Sequence, residues 1–302
     1  VLNKGKYSAL AINRSVSFST MRMMTGLVLA LIFANPVSAK DKQDAAAAPT
    51  ETVTVCPDGG YESPCTFAQM EKAISLTSNA VLLLSKQCLY QTEARCWVKA
   101  SGTISNMERG GRVIWQHMML APNDGPATEM IILFELEGKP VPRLVLAAQT
   151  EGWFLAPDVV ANSDDGVLIH VLGRTGGNGA GNADLLVRRT KTGWSHISLR
   201  SWFDEVNAML PAGFEVQNGV NFNFRDMHAS SPVWRSGDGH CCPTGGTIQI
   251  DFAINTADQL LVAGLAFDET KPVAPTIYLP EKQQVSEQIA PKPETIPQGD
   301  VE

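Results

Sequence analysis

Apolar residues along the chain follow two periods, and the change between them divides the sequence. Phe67, Met70, Ile74, Thr77, Val81, Leu84 and Cys88 recur at steps of three and four, the spacing of one helix face. Thr66, with Gln69 three residues on, forms a capping box at its start. The spacing predicts an amphipathic helix from Thr66 to residue 88. From residue 96 onward strand-length runs take over. Arg112–Leu120 and Met130–Leu136 are largely apolar, and Glu137-Gly138-Lys139-Pro140 turns the second into Arg143–Ala148 as a hairpin. Val167–Leu172, Asp184–Arg189 and Trp194–Leu199 follow, the last two joined by Lys191-Thr192-Gly193. Val220, Phe222 and Phe224 alternate with polar residues, and Ile248, Ile250, Phe252 and Ile254 do so more cleanly, as half-buried strands should. Leu260–Ala266 closes the core. One short helix interrupts the strands: Ser201 and Asp204 open it, Trp202, Phe203, Val206, Met209 and Leu210 form its apolar face, and Pro211 and Gly213 stop it. The expected fold is α+β or mainly β, an antiparallel sheet core with an N-terminal amphipathic helix and one short inserted helix. Sandwich, curved sheet and partial propeller all fit.

The two ends have a different character. Thr25–Ala34 is an apolar run that follows Arg22, and Val37 and Ala39 supply small residues three and one positions before a cleavage point. Residues 1–39 read as a secretory signal peptide cleaved after Ala39, with residues 1–20 as an upstream extension of Met21. The run falls short of the roughly 20 residues that span a bilayer, so no membrane span is expected in the mature protein. No cysteine follows the cleavage point, so lipid anchoring is not expected there either. The mature chain is therefore expected free in the periplasm or secreted. Residues 40–55 read as a flexible linker and 56–269 as a single globular domain, with a helical N-terminal part (56–105) and a β-rich core (106–269). Residues 270–302 hold six prolines and read as a disordered tail.

Composition narrows the class of partner. The 302 residues are 44% hydrophobic and 18% charged, ordinary for a chain with a sizeable core. Four of the 24 basic residues fall in 1–39, which leaves 20 against 31 acidic ones in the remainder. A surface that acidic repels phosphate backbones, so no nucleic acid is expected as a partner.

The candidate functional loop runs from Trp234 to Gly246 and contains Asp238, His240, Cys241 and Cys242. Adjacent cysteines there admit three states: a bond to each other, staples to distant cysteines, or thiolates that hold a soft metal with His240. A vicinal bond joins Cα atoms ~3.8 Å apart, below the usual disulfide range of roughly 4.4–6.8 Å. Against that strain stand two local pairs. Cys56 and Cys65 flank a Pro-Asp-Gly-Gly turn, and Cys88 and Cys96 are eight apart, which would leave Cys241 and Cys242 only each other. All six are disulfide candidates, and sequence does not choose the connectivity. Cys-Cys adjacency is a poor chelate spacing, so neither metal nor cofactor is expected.

Gly176–Asn182 before Asp184, then Trp194, Ser201-Trp202, Leu210-Pro211-x-Gly213 and Trp234-x-x-Gly237-Asp238-x-x-Cys241-Cys242-Pro243 resemble exported bacterial proteins with a Gly-Asp-x-x-Cys-Cys-Pro loop. The loop is also similar to that of the mycobacterial LppP/LprE lipoproteins, although this chain has no lipobox. The resemblance implies an exported domain and transfers no catalytic residue.

Catalytic motifs are absent from the sequence. The glycine loop 176–182 has no Lys-Ser/Thr after it and no Asp where a calcium repeat needs one. Asn162–Gly166 fails the EF-hand pattern. Neither Gly-x-Ser-x-Gly nor His-Glu-x-x-His occurs. His117 and His170 lie in apolar strands and read as hydrogen-bonded core residues. The expected function is that of an exported, non-catalytic periplasmic or cell-envelope protein that binds an envelope polymer or a protein partner, with Trp194, Trp202 and Trp234 as candidate anchors. The alternatives are a hydrolase with a dispersed site around His228, Asp238 and His240, and a thiol redox or metal site at Cys241/Cys242.

Overall fold

The computed structural model describes residues 53–105, 107–108, 111–136, 142–164, 166–176 and 181–270. The signal segment, most of the linker, the Glu137–Pro140 turn and the tail beyond Thr270 lie outside them. The first sheet is built from β1 (Arg95–Ile104), β2 (Arg112–Ala121), β3 (Thr128–Leu136) and β4 (Arg143–Thr150), paired antiparallel in that order. Six strands follow: β5 (Trp153–Phe154), β6 (Asp158–Ser163), β7 (Gly166–Val171), β8 (Gly173–Arg174), β9 (Leu185–Thr190) and β10 (Gly193–His196). Of these β6, β7, β9 and β10 make the second sheet. The last six are β11 (Phe214–Glu215), β12 (Asn221–Asn223), β13 (His228–Pro232), β14 (Trp234–Arg235), β15 (Thr247–Ile254) and β16 (Leu260–Asp268), and β12, β13, β15 and β16 form the third sheet. The fold is mainly β and antiparallel, as the sequence predicts.

Side-chain alternation explains how the sheets stack. Met130, Ile132 and Phe134 of β3 point one way, into a cluster with Val55, Met70, Leu89 and Tyr90. Ile131 and Leu133 point the other way and meet Val167, Ile169 and Val187 of the second sheet. Because both faces are covered, Met130–Phe134 of β3 is an unbroken apolar run, the pattern more usual for buried parallel strands. Leu168 and Leu186, on the far face of the second sheet, join Ile248, Ile250 and Phe252 of the third. There the burial ends: Gln249, Asp251 and Ala253 are exposed, and so β15 alternates. The result is a layered stack of N-terminal segment and three sheets in chain order.

Three sequence expectations need correction. The stripe from Phe67 to Cys88 is not one helix. Helix α1 (Phe67–Lys72) has the expected capping box at Thr66 and Gln69, and a separate turn, α2 (Ala80–Leu83), follows. Between them Ser75, Thr77, Ser78 and Asn79 are poor helix formers whose side chains compete with the backbone. The chain there is extended instead, with Ser75 N–H donating to Leu89 O and Gln91 N–H to Ala73 O. Leu82 is left 73% exposed. Second, ordered structure begins inside the expected linker, since Val53 and Val55 are buried and Gln149 bonds both backbone groups of Val55. Third, Ser201 does not cap the inserted helix α3 (Phe203–Met209). Its hydroxyl donates to Ser198 O and Leu260 O, and Met209 lies half exposed. No helix among the described residues is long and apolar enough to cross a membrane.

The second and third sheets repeat one topology. In each, a two-residue strand precedes a hairpin, a second two-residue strand follows the hairpin and pairs with the first, a loop intervenes, and two more strands complete the sheet. Thus β5 pairs β8 as β11 pairs β14. Residues 61 apart correspond: Trp153 with Phe214 and Arg174-Thr175-Gly176 with Arg235-Ser236-Gly237. Thr175-Gly176 after β8 and Ser236-Gly237 at the start of the cysteine loop after β14 therefore occupy equivalent places on neighbouring sheets.

In the first sheet Glu129 is 3% exposed. It shares a 2.6 Å hydrogen bond with His117 Nε2, pairs with Lys99, and accepts the Phe154 N–H at 2.8 Å. Burial alone pushes its carboxyl up, but these bonds outweigh burial and hold it below the ordinary value. Glu129 thus ionises more readily folded than unfolded. The stability it contributes is complete above the unfolded value, about 4.3, and is lost as pH falls through the folded one. Glu129→Gln is expected to cost about 2 kcal/mol at neutral pH and to flatten the acid limb of stability. Urea unfolding as a function of pH checks this; an unchanged acid limb contradicts it.

Candidate functional site

The six cysteines pair locally: Cys56–Cys65, Cys88–Cys96 and Cys241–Cys242, the last with Cα atoms 3.8 Å apart. Of the three states open to the adjacent cysteines, the structure has the bond to each other. The loop around them is organised by Asp238. One of its oxygens accepts the backbone N–H groups of Arg235 (2.7 Å) and Thr244 (2.8 Å), and the other accepts the Thr244 hydroxyl. These backbone donors hold the carboxyl below its ordinary value. Arg235 clamps the loop from beside it, donating to Thr244 O, pairing with Glu269 and lying 4.9 Å over the Phe214 ring. Gly246 closes the loop at φ +94°, where a Cβ would stand 2.2 Å from Asp268 O. Cys241, Cys242 and His240 are left exposed at the tip.

Trp234 is not a surface anchor. It is 2% exposed, and its indole N–H donates inward to Gly239 O. Trp202 is likewise buried, at the centre of a ring cluster with Phe203, Phe222 and Phe252. Among the predicted anchors only Trp194 is partly accessible. His117 and His170 are hydrogen-bonded core residues as expected, on Glu129 and Asp184. His228 bonds Asp251 and Gln249, which raise its imidazole above the ordinary value, Asp251 most. His240 bonds Gln217, and Asp238 bonds within its own loop. No hydrogen bond among the described residues joins His228, Asp238 and His240 to one another. They lie at opposite ends of β13 and β15, since His228 pairs with Asp251 while Pro232 and Thr247 flank the loop.

The structure instead opens a cleft of about 530 Å³ beside the second and third sheets. Thr175 and, at the end of the glycine loop, Gly181 and Asn182 form one side; Arg200, Phe203 and Asp204 at the start of α3 form another; Gln217, Asn218 and Phe222 around β12 complete it. Gln217 is the residue that His240 Nδ1 meets at 2.9 Å. The two loops singled out by sequence thus converge on one cleft, the cysteine loop through that contact.

The inner wall is held by Asp184, whose side chain is 1% exposed. It meets His170 Nε2 at 2.8 Å, Arg174 Nη1 at 2.7 Å and Asn182 Nδ2 at 2.7 Å. Arg174 and Asn182 also donate to Val220 O, and Val220 N–H donates back to Asn182. Gly173 permits this approach, because a Cβ there would stand 2.4 Å from Ala183 O. The rim is different. No side-chain hydrogen bond or ion pair among the described residues engages Arg200, Asp204 or Asn218. The cleft therefore joins a fixed polar wall to uncommitted polar groups and the half-buried rings of Phe203 and Phe222.

Sequence reasoning missed Arg200, Phe203, Asn218 and Phe222 as a group, because they meet only through the fold. A signal was present for the wall: Arg174, Asn182 and Asp184 flank the glycine loop, and the same Arg-Thr/Ser-Gly step recurs at Arg235.

If Asp238 orders the cysteine loop, Asp238→Ala should raise amide exchange at Arg235 and Thr244 by about tenfold or more. The amides of β2 and β3 should keep their protection. Exchange read by NMR or mass spectrometry checks this, and unchanged protection at both amides contradicts it. In comparison with known proteins, the chain matches no family model, no curated protein and no solved structure.

Proposed function

We propose that this chain is an exported, non-catalytic binding protein, resident in the periplasm or secreted, that takes an envelope component in the cleft between the glycine loop, the start of α3 and β12. The observation that carries the reading is the division of labour within the cleft. The wall groups satisfy one another, so they form a preorganised surface, whereas Arg200, Asp204 and Asn218 at the rim are available to a ligand. Preorganisation spares a ligand the cost of ordering its site. The volume falls within the roughly 300–1,000 Å³ range of small-molecule sites. The signal-like residues 1–39 and three disulfides agree with export to an oxidising compartment.

The hydrolase alternative has less support. A base and acid must converge within hydrogen-bond reach of one reacting group, and His228, Asp238 and His240 are committed to separate partners. The metal alternative requires Cys241 and Cys242 as thiolates, and they are joined. The joined pair is the oxidised state of a thiol redox site, so that alternative requires a pair that ordinary thiol reductants open.

The test is retention of solubilised envelope material by the immobilised protein, purified from the export compartment. Wild type is expected to retain a component that is recovered chemically unchanged, and Asn218→Ala with Phe203→Ala is expected to reduce retention about tenfold, or 1.4 kcal/mol. Equal retention by the variant, or recovery of a cleaved component whose cleavage requires His240, overturns the proposal.

A further inference from the structure

Resting on the cleft as the ligand site, we infer that its ligand is a neutral saccharide, a short segment of an envelope glycan. The choice follows from what the lining offers and from what it withholds.

Phe203 and Phe222 present half-buried rings and are fixed by packing on Trp202, at centroid distances of 5.3 Å and 6.2 Å. An immobile ring suits a rigid ligand with an apolar face, and a pyranose has one in its axial C–H groups. Around the rings stand planar polar groups of three kinds. Asn218 offers an amide donor and acceptor, Arg200 only donors, and Asp204 only acceptors. A ligand that uses all three needs neighbouring groups that both donate and accept, which is the property of adjacent hydroxyls.

Other ligand classes fit less well. An anion such as a phosphate ester meets one cation, Arg200, against Asp204, while the Asp184 carboxylate behind them is already matched by Arg174. No surplus positive charge remains to hold it. A cationic ligand faces Arg200 in turn. A wholly apolar ligand would leave the amide, guanidinium and carboxylate of the rim without a partner. A free amino acid matches Arg200 and Asp204 in charge. Both those groups are exposed, so such pairs contribute little, and the rings would remain unused.

The closing experiment is calorimetric titration of the exported protein with four probes: chitobiose, cellobiose, inorganic phosphate and glutamate. At least one disaccharide is expected to bind at micromolar to millimolar concentration, with affinity about tenfold weaker in Phe222→Ala and in Asn218→Gln. Near-ultraviolet circular dichroism shows whether each variant keeps its fold, and Asn218→Gln, at a half-exposed turn position, provides the reading if Phe222→Ala does not fold. Phosphate or glutamate as the only probe bound, with the same losses in the variants, overturns the saccharide and leaves the cleft standing. Binding of a disaccharide that neither variant weakens overturns the cleft as its site. No binding by any probe overturns the saccharide assignment, and the retention experiment then decides the cleft separately.

Discussion

The buried charge of Asp184 is the constraint on which the site depends. A carboxylate 1% exposed is tolerable only when its oxygens are matched, and the three groups that match it come from different parts of the chain. His170 belongs to β7, Arg174 to β8, and Asn182 to the end of the glycine loop. Arg174 and Asn182 then reach across to the backbone of Val220, at the entry to β12. One carboxylate thereby ties the second sheet, the glycine loop and the start of the third sheet together, and the cleft is the space that this tie leaves open. Removing one partner of such a buried pair typically costs about 3–5 kcal/mol, chiefly because the other charge is stranded.

The duplicated topology gives that arrangement a rationale. Each of the two sheets sends an excursion out after its second strand, and each excursion begins with a two-residue strand ending in an arginine, Arg174 or Arg235. In the first copy the arginine turns inward to Asp184; in the second it stays outside, paired with Glu269 and covering Phe214. The same backbone plan thus yields one buried hub and one surface clamp. The two excursions differ in what holds them: the first passes Gly173, where a Cβ would stand 2.4 Å from Ala183 O, and the second uses a disulfide and Asp238 to hold an exposed tip.

How much of this was legible in the sequence depended on whether the signal was periodic or spatial. β15 declared itself because Ile248, Ile250 and Phe252 face one core while Gln249 and Asp251 face water. β13 did not, because His228-Ala229-Ser230-Ser231-Pro232 has no apolar period, and its place is set by pairing with β15. The capping box at Thr66 marked a true helix start, but the apolar stripe beyond it overstated the helix: local backbone pairing between residues 73–75 and 89–91 displaced it. The local cysteine spacings admitted the pairing that the structure has, but staples to distant cysteines fitted the sequence too, and only the fold chooses between them. The rim of the cleft had no sequence signature, since Arg200, Asn218 and Phe222 are neighbours only after the sheets have stacked.

The most direct measurement is amide exchange at Val220 in the wild type and in Asp184→Asn, with amides of β2 and β3 as an internal reference. The Val220 N–H donates to Asn182, which in turn is held by Asp184. If the carboxylate organises the cleft, Val220 should lose about tenfold or more of its protection while the first sheet keeps its own. Undiminished protection at Val220 in a folded variant would mean that the wall stands without the charge, and that Asp184 is not the element on which the site rests.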